Sequence, residues 1–183
     1  MKLAKTRTGL GLAGSVCGVS AIILTMYSAY GDELMLSPAG AEIIGNAEGC
    51  RRDPYKCPAD VLTVGIGSTE YSGLPIDPKH RYTDLEIAER WKNDIKVAEE
   101  CVLAYGNGRA LPQSVFDSAV SITFNVGCGA VRKSTLFKYL KSGKYELACN
   151  EYPRWNKAGG KVLPGLVSRR EKEKALCLSD LHK

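Results

Sequence analysis

Between Arg7 and Asp32 the chain carries no charged residue, so Thr8 to Gly31 is an uncharged run of 24. Wound as a helix it would extend about 36 Å at 1.5 Å per residue, enough to cross the hydrocarbon core of a bilayer. Lys2, Lys5 and Arg7 precede the run, and Asp32 and Glu33 follow it. Cations stay on the cytoplasmic side, so the rest of the chain is read as exported. The division expected is a transmembrane segment within residues 1–33 and a body over 34–183. Three fates fit this segment. It is a cleaved signal with a site after Ala29-Tyr30-Gly31, although such signals usually carry an apolar stretch of only about 7–15 residues. It is a permanent anchor, or it is an anchor able to leave the membrane. Composition favours the last. Thirteen of the 24 residues are Gly, Ala, Ser or Thr and only eight are Leu, Ile, Val or Met, so the segment gains little transfer free energy. Gly11, Gly14 and Gly18 also suit a helix–helix contact within a membrane.

The remaining 150 residues leave room for one domain with its own core. The net charge of +5 becomes +4 when three cations and two anions leave with residues 1–33. That mild excess suits any polyanion, but the Lys and Arg residues are scattered, which argues against nucleic acid. Seven cysteines (Cys17, Cys50, Cys57, Cys101, Cys128, Cys149 and Cys177) are many for a reducing cytosol. There is no close cysteine pair and the histidines are His80 and His182, so neither a metal site nor a cofactor is expected. The odd count leaves one thiol over.

Ser37-Pro38 reads as an N-cap followed by proline in the first turn of a helix. Ile43, Ile44 and Ala47 give that helix an apolar face, and Gly49 stops it after Glu48. From Cys50 to Pro78 turn residues alternate with short β-prone runs, notably Val61-Leu62-Thr63-Val64, which reads as a small hairpin region. Thr83 and Glu86 form a capping box, with Trp91, Ile95, Ala98 and Val102 following at helical spacing. Further helices are expected over 112–126, 134–142, 144–151 and 165–178, with Gly127 and Gly143 as stops. The fold class is α+β: one small hairpin lobe and a mostly helical lobe.

Glu48 closes the first helix, where the dipole disfavours a negative charge. That suits a group that must hand a proton to a glycosidic oxygen. On position alone, the plainer reading is an exposed glutamate at a helix end. The surrounding residues add more. Glu48-Gly49, Tyr55 and Thr63-Val64-Gly65-Ile66-Gly67 resemble the signature of phage lysozymes of the glycoside hydrolase family that includes the T-even phage enzymes. Phe124-Asn125-Val126-Gly127, Arg154-Trp155, Leu163-Pro164-Gly165-Leu166 and Arg169-Arg170 extend the resemblance over residues 37–178. Gly65-x-Gly67 alone would be weak, and no Lys-Ser/Thr follows to make a phosphate loop.

The resemblance implies a lysozyme-like fold and cleavage of β-1,4 bonds between N-acetylmuramic acid and N-acetylglucosamine in peptidoglycan. Glu48 would protonate the leaving oxygen, and Thr63 would help hold a water on the opposite face of the sugar. One arginine of the pair Arg169-Arg170 would reach towards Glu48. Asn125 and Arg169 are candidate substrate contacts, although Asn125 also reads as a residue at a helix end before Gly127. The departure is Cys57: the family has an aspartate nine residues after the glutamate and six before the threonine, and here Glu48, Cys57 and Thr63 keep that spacing. A thiolate could polarise a water. Asp53 or Asp60 are alternative second carboxylates at the wrong offsets.

Cys50 and Cys57 are close enough in sequence to pair, which would lock the thiol at the aspartate position. Cys17 precedes Asp32 by fifteen residues, roughly 22 Å deep in a spanning helix. A disulfide needs Cα atoms about 5.5–6 Å apart, so Cys17 reaches Cys50 only after the segment leaves the bilayer. Attack of Cys17 on Cys50 would then free Cys57. This resembles the signal-anchor-release endolysins, which implies export by the host machinery and an inner-membrane stage facing the periplasm. It further implies release triggered by a pore-forming holin, a Gram-negative host and a monomeric enzyme. The alternative is a permanent Cys50–Cys57 bridge with Cys17 idle. Cys101–Cys128 and Cys149–Cys177 are the expected staples among the three connectivities that four cysteines allow. Two other functions compete: a membrane-tethered peptidoglycan-binding protein that lost activity with the aspartate, and a thiol–disulfide protein, which the absence of Cys-x-x-Cys disfavours.

Overall fold

A computed structural model of the chain describes residues 16–57, 60–70 and 74–181. Residues 8–15 of the uncharged run and His182 lie outside them. Ser37 caps α2 (Pro38–Glu48), its side chain accepting from Gly40 N while Pro38 takes the first turn. Gly49 ends the helix at φ 74°, a setting that favours glycine, and turns the chain into β1 (Arg51–Lys56). β1, β2 (Leu62–Gly65) and β3 (Ser68–Thr69) form an antiparallel sheet in that order. Thr63 pairs with Tyr55 on one side and Thr69 on the other, so it occupies the middle of the sheet.

The expected hairpin is thus a three-stranded sheet. Its first strand escapes sequence patterning because Arg51-Arg52-Asp53-Pro54-Tyr55-Lys56 neither alternates nor concentrates branched residues. A register shift between Arg51 and Tyr55 accommodates Pro54. α3 (Asp84–Tyr105) opens with both bonds of the Thr83–Glu86 capping box. Its residues Trp91, Ile95, Ala98 and Val102 are buried in the core. α4 (Gln113–Val126), α6 (Thr135–Lys141), α7 (Tyr145–Cys149) and α8 (Pro164–Leu178) fall close to the ranges read from the sequence. Two features went unseen there. One is the single turn α5 (Cys128–Val131), and the other is a hairpin, β4 (Lys157–Ala158) and β5 (Lys161–Val162), around Gly159-Gly160. Both are too short to show a period.

The uncharged run is described from Val16 onward. Its described part forms α1 (Val19–Tyr30), which packs into the same core as the body. Ile22 and Met26 are fully buried, whereas Leu24 on the outer face is 73% exposed. α1 lies so close to α2 that a Cβ on Gly45 would sit 2.5 Å from Val19 Cγ1 and 3.2 Å from Trp91 Cη2. Among the described residues no helix is long and apolar enough to cross a membrane. α1 is 12 residues long, and the spanning helix expected over 8–31 includes residues that lie outside those described. Its buried side carries Ile22, Ile23 and Met26, and Ser20, Ala21, Leu24, Ser28 and Ala29 are left to water.

Candidate active site

Glu48 sits on the last turn of α2 with its side chain 28% exposed. Arg169 on α8 donates from Nη1 to Glu48 Oε1 at 2.7 Å. The same guanidinium donates from Nε to Glu173 Oε1 at 3.2 Å and from Nη2 to the Ser121 carbonyl at 3.3 Å. Ser121 Oγ donates to Glu173 Oε1 at 2.7 Å, and Arg170 Nη2 donates to Asn125 Oδ1 at 2.8 Å. Arg170 Nε also lies 2.9 Å from Glu173 Oε2. Two cations and two carboxylates, Glu48 and Glu173, therefore balance within one network joining α2, α4 and α8. Burial pushes the Glu173 carboxyl up and the Arg170 guanidinium down, and each opposes the other's shift by its own charge. Bonds to Glu48, Glu173 and Ser121 place Arg169 to orient the glutamate, and its side chain also lines the cleft beside it.

Across from Glu48 lies the sheet. A Cβ on Gly67 would stand 3.6 Å from Glu48 Oε2, so the turn after β2 rests against the carboxylate. Thr63 is buried, and its Oγ1 donates to the Val61 carbonyl at 3.1 Å, leaving oxygen lone pairs for a further donor. Cys57 follows β1, its N–H donating to the Val61 carbonyl at 3.0 Å. Burial pushes the Tyr55 hydroxyl above its ordinary value; Arg51, 4.3 Å over the ring, opposes, while Cys57 and Glu48 add to the rise. Cys57 and Glu48 thus share the neighbourhood of one tyrosine. The alternative carboxylates are engaged elsewhere: Asp53 with Arg81 at 3.0 Å and Asp60 with Lys56 at 2.8 Å, all well exposed.

A cleft of 540 Å³ opens beside Glu48, lined by Asn46, Asn125, Leu163, Arg169 and Lys172. A second hollow of 300 Å³ lies beyond Gly67, lined by Thr69, Asp94, Phe124 and Gly127. Glu48 borders the first and touches Gly67 of the second, so the two meet at the glutamate. An extended polymer laid along them would present a bond between Glu48 and the sheet. The sequence reading missed Ser121 and Glu173. Glu173 lies one turn after Arg169 on α8 and Ser121 one turn before Asn125 on α4, a spacing that puts each pair on one helix face but does not show burial.

Three disulfides are formed: Cys17–Cys50, Cys101–Cys128 and Cys149–Cys177, with Cα separations of 5.1, 5.8 and 5.6 Å. Cys57 stays outside all three and is half-buried. An isolated β-bridge between Val16 and Arg51 and a bond from Cys17 N to the Cys50 carbonyl at 3.3 Å align the first pair. No group of three or more His, Cys, Asp or Glu residues suited to a metal ion occurs among the described residues.

Residues 45–173, from α2 through the sheet to α8, match the family model described as phage lysozyme. The chain belongs to the phage lysozyme family. It is therefore a glycoside hydrolase, the class to which that family's muramidases belong. Over 188 aligned residues it is 37% identical to the SAR-endolysin of Escherichia phage P1, covering 97% of this chain and 98% of that one. It is 40% identical to the SAR-endolysin of Haemophilus phage HP1 over 156 residues, covering 79% and 82%. Among solved structures, the active form of the P1 phage endolysin Lyz superposes with a TM-score of 0.85 at 36% identity, covering 92% of this lysozyme and 98% of that chain. The secreted inactive form of the P1 enzyme gives 0.56 at 38% identity, over 79% and 96%.

Proposed function

We propose that this phage lysozyme hydrolyses β-1,4 bonds between N-acetylmuramic acid and N-acetylglucosamine in peptidoglycan, and that the conformation described is its active, released state. The first part rests on the ion pair between Glu48 and Arg169 at the meeting point of the two hollows. Glu48 protonates the leaving oxygen. Arg169 positions it, and Glu173 holds the same guanidinium from its other side. On the opposite side Thr63 accepts a hydrogen bond from the attacking water, and the Cys57 thiolate polarises it in place of the family's aspartate. Asn125, fixed by Arg170, offers its amide to the saccharide. Glu48→Gln should lower lysis of outer-membrane-permeabilised cells by about a hundred- to ten-thousand-fold, with the fold unchanged by circular dichroism. Retained lysis would remove Glu48 from the chemistry.

The second part rests on the Cys17–Cys50 bridge with Cys57 outside it, together with the greater likeness to the active P1 form. Residues 8–31 hold the exported chain at the inner membrane, facing the periplasm, while Cys50–Cys57 blocks the site. After release, which a holin triggers, the Cys17 thiolate attacks Cys50 Sγ. The Cys17–Cys50 bond forms as the Cys50–Cys57 bond breaks, and Cys57 departs as a thiolate without net oxidation. The released enzyme acts as a monomer. Cys17→Ser should abolish lysis, and adding Cys57→Asp to that variant should restore it because no bridge to position 57 can form. A Cys17→Ser enzyme as active as the wild type would reduce the bridge to a staple.

A further inference from the structure

Between α1 and α2 the chain passes through Met35, bends at Leu36 and reaches Ser37, and among the described residues no strand pairs with it. Its backbone donors go to two buried carboxylates on different helices. Glu99 Oε1 on α3 accepts from Met35 N at 2.8 Å and Leu36 N at 2.6 Å. Asp117 on α4 accepts from Ser37 N at 2.9 Å and, through its other oxygen, from Ser37 Oγ at 2.5 Å. Gln113 Nε2 ties the two halves together, donating to Asp117 Oδ1 at 2.8 Å and to the Met35 carbonyl at 2.9 Å. The Tyr27 hydroxyl of α1 donates to the Leu36 carbonyl at 2.5 Å. Glu99 is 4% exposed and Asp117 1%.

We propose that Glu99 and Asp117 form a proton-linked clamp on residues 35–37, one that sets how firmly the α1 segment docks on the lysozyme body. The clamp goes beyond the catalytic reading and does not depend on it. Neither carboxylate has an ion-pair partner among the salt bridges of the described residues. The groups facing Glu99 are Tyr27 from α1, Lys96 on its own helix and Asp117. Those facing Asp117 are Tyr27, Ser37, Gln113 and, from the segment after α8, Asp180. Burial is the largest influence on each and pushes both carboxyls up; the backbone and side-chain donors oppose it, as does Lys96 at Glu99, while Asp117 adds to the rise at Glu99 and Asp180 to that at Asp117. The docked state therefore binds protons more tightly than the undocked one. Its stability grows as pH falls from neutral through the raised values towards the ordinary carboxylate range, and it is lost again as pH rises.

The test is the thermal midpoint of the full, disulfide-bonded chain between pH 7.5 and 5.5, compared with the Glu99→Gln/Asp117→Asn double variant. The wild-type midpoint should rise on acidification, and the variant should lose most of that slope while Glu173, buried in both proteins, keeps its own contribution. A wild-type midpoint that is flat or falls, or a slope kept by the variant, overturns the clamp. Should the variant not fold, amide exchange in the wild type decides, corrected for the intrinsic rate at each pH. Protection of Met35, Leu36 and Ser37 should increase on acidification relative to the α4 amides, and unchanged relative protection overturns the proposal.

Discussion

α1 and α4 are both helices of this core, yet they are held in different ways. α4 buries ten consecutive residues, Ser114 to Thr123, and is enclosed by α2, α3 and α8. α1 buries three of its own, Ile22, Ile23 and Met26. Around those three, α1 is fastened by point attachments: the Cys17–Cys50 bridge, the Val19–Gly45 contact, Lys92 over Tyr30 at 4.5 Å, Glu33 between Lys92 and Lys96, and the clamp on residues 35–37. A helix secured by burial belongs to one environment. A helix secured by a few attachments can be docked after the body has folded, as the proposed release from a membrane would require.

The strongest way to break the α4 side is to disturb its charge network. Glu173 is fully buried and faces both Arg169 and Arg170. Removing it leaves the two guanidinium groups with Glu48 alone, and an uncompensated buried charge costs about 3–5 kcal/mol. Glu173→Ala should show this as a large drop in the urea midpoint, together with weaker lysis, because Arg169 loses the carboxylate that fixes its position beside Glu48. A change below about 1 kcal/mol would mean that water already screens the cluster.

The α1 side should yield less. Cys17 and Cys50 are 33 residues apart, and closing a loop of that order stabilises by about 2–4 kcal/mol. Cys17→Ser/Cys50→Ser, which removes this bridge and any bridge from position 50 to Cys57, should lose about that much and should fray α1 first, seen as faster amide exchange over 19–30 than over α4. Equal loosening of both helices would contradict the division between them. Smaller again is Gly45→Ala. The new methyl meets Val19 and Trp91, and overpacking of this kind costs about 1–3 kcal/mol. Its effect should vanish in Val19→Ala/Gly45→Ala if the contact is the cause.

The same contrast explains what the sequence made legible. Long helices announced themselves through caps and period, as Thr83 with Glu86 and the Trp91–Val102 series did for α3. The Glu48, Cys57 and Thr63 spacing pointed to a candidate site because the three lie within one short stretch that folds as a helix end against a sheet. The support behind that site stayed hidden. Glu173 and Ser121 look like ordinary polar positions on helices until tertiary packing buries them together. For α1 the docked form was not legible, because hydropathy registers length and charge, and both suit a bilayer. The inward face of the docked helix uses the same few aliphatic residues that would otherwise meet lipid.

Leu24 separates those two uses with the smallest effect on the fold. It is 73% exposed on α1, so Leu24→Lys should move the stability of the released enzyme by no more than about 0.5 kcal/mol. Within a spanning helix the same position lies deep in the uncharged run, where a lysine costs about 2.5–3.5 kcal/mol against roughly half a kcal/mol gained by leucine. The variant should therefore appear in the soluble periplasmic fraction without holin and lyse cells early, while its purified activity and thermal midpoint match the wild type. Retention at the membrane would show that the run is anchored by more than its aliphatic content. A large loss of stability would show that the outer face of α1 is covered in the working enzyme, and the distinction from α4 would then narrow to one of degree.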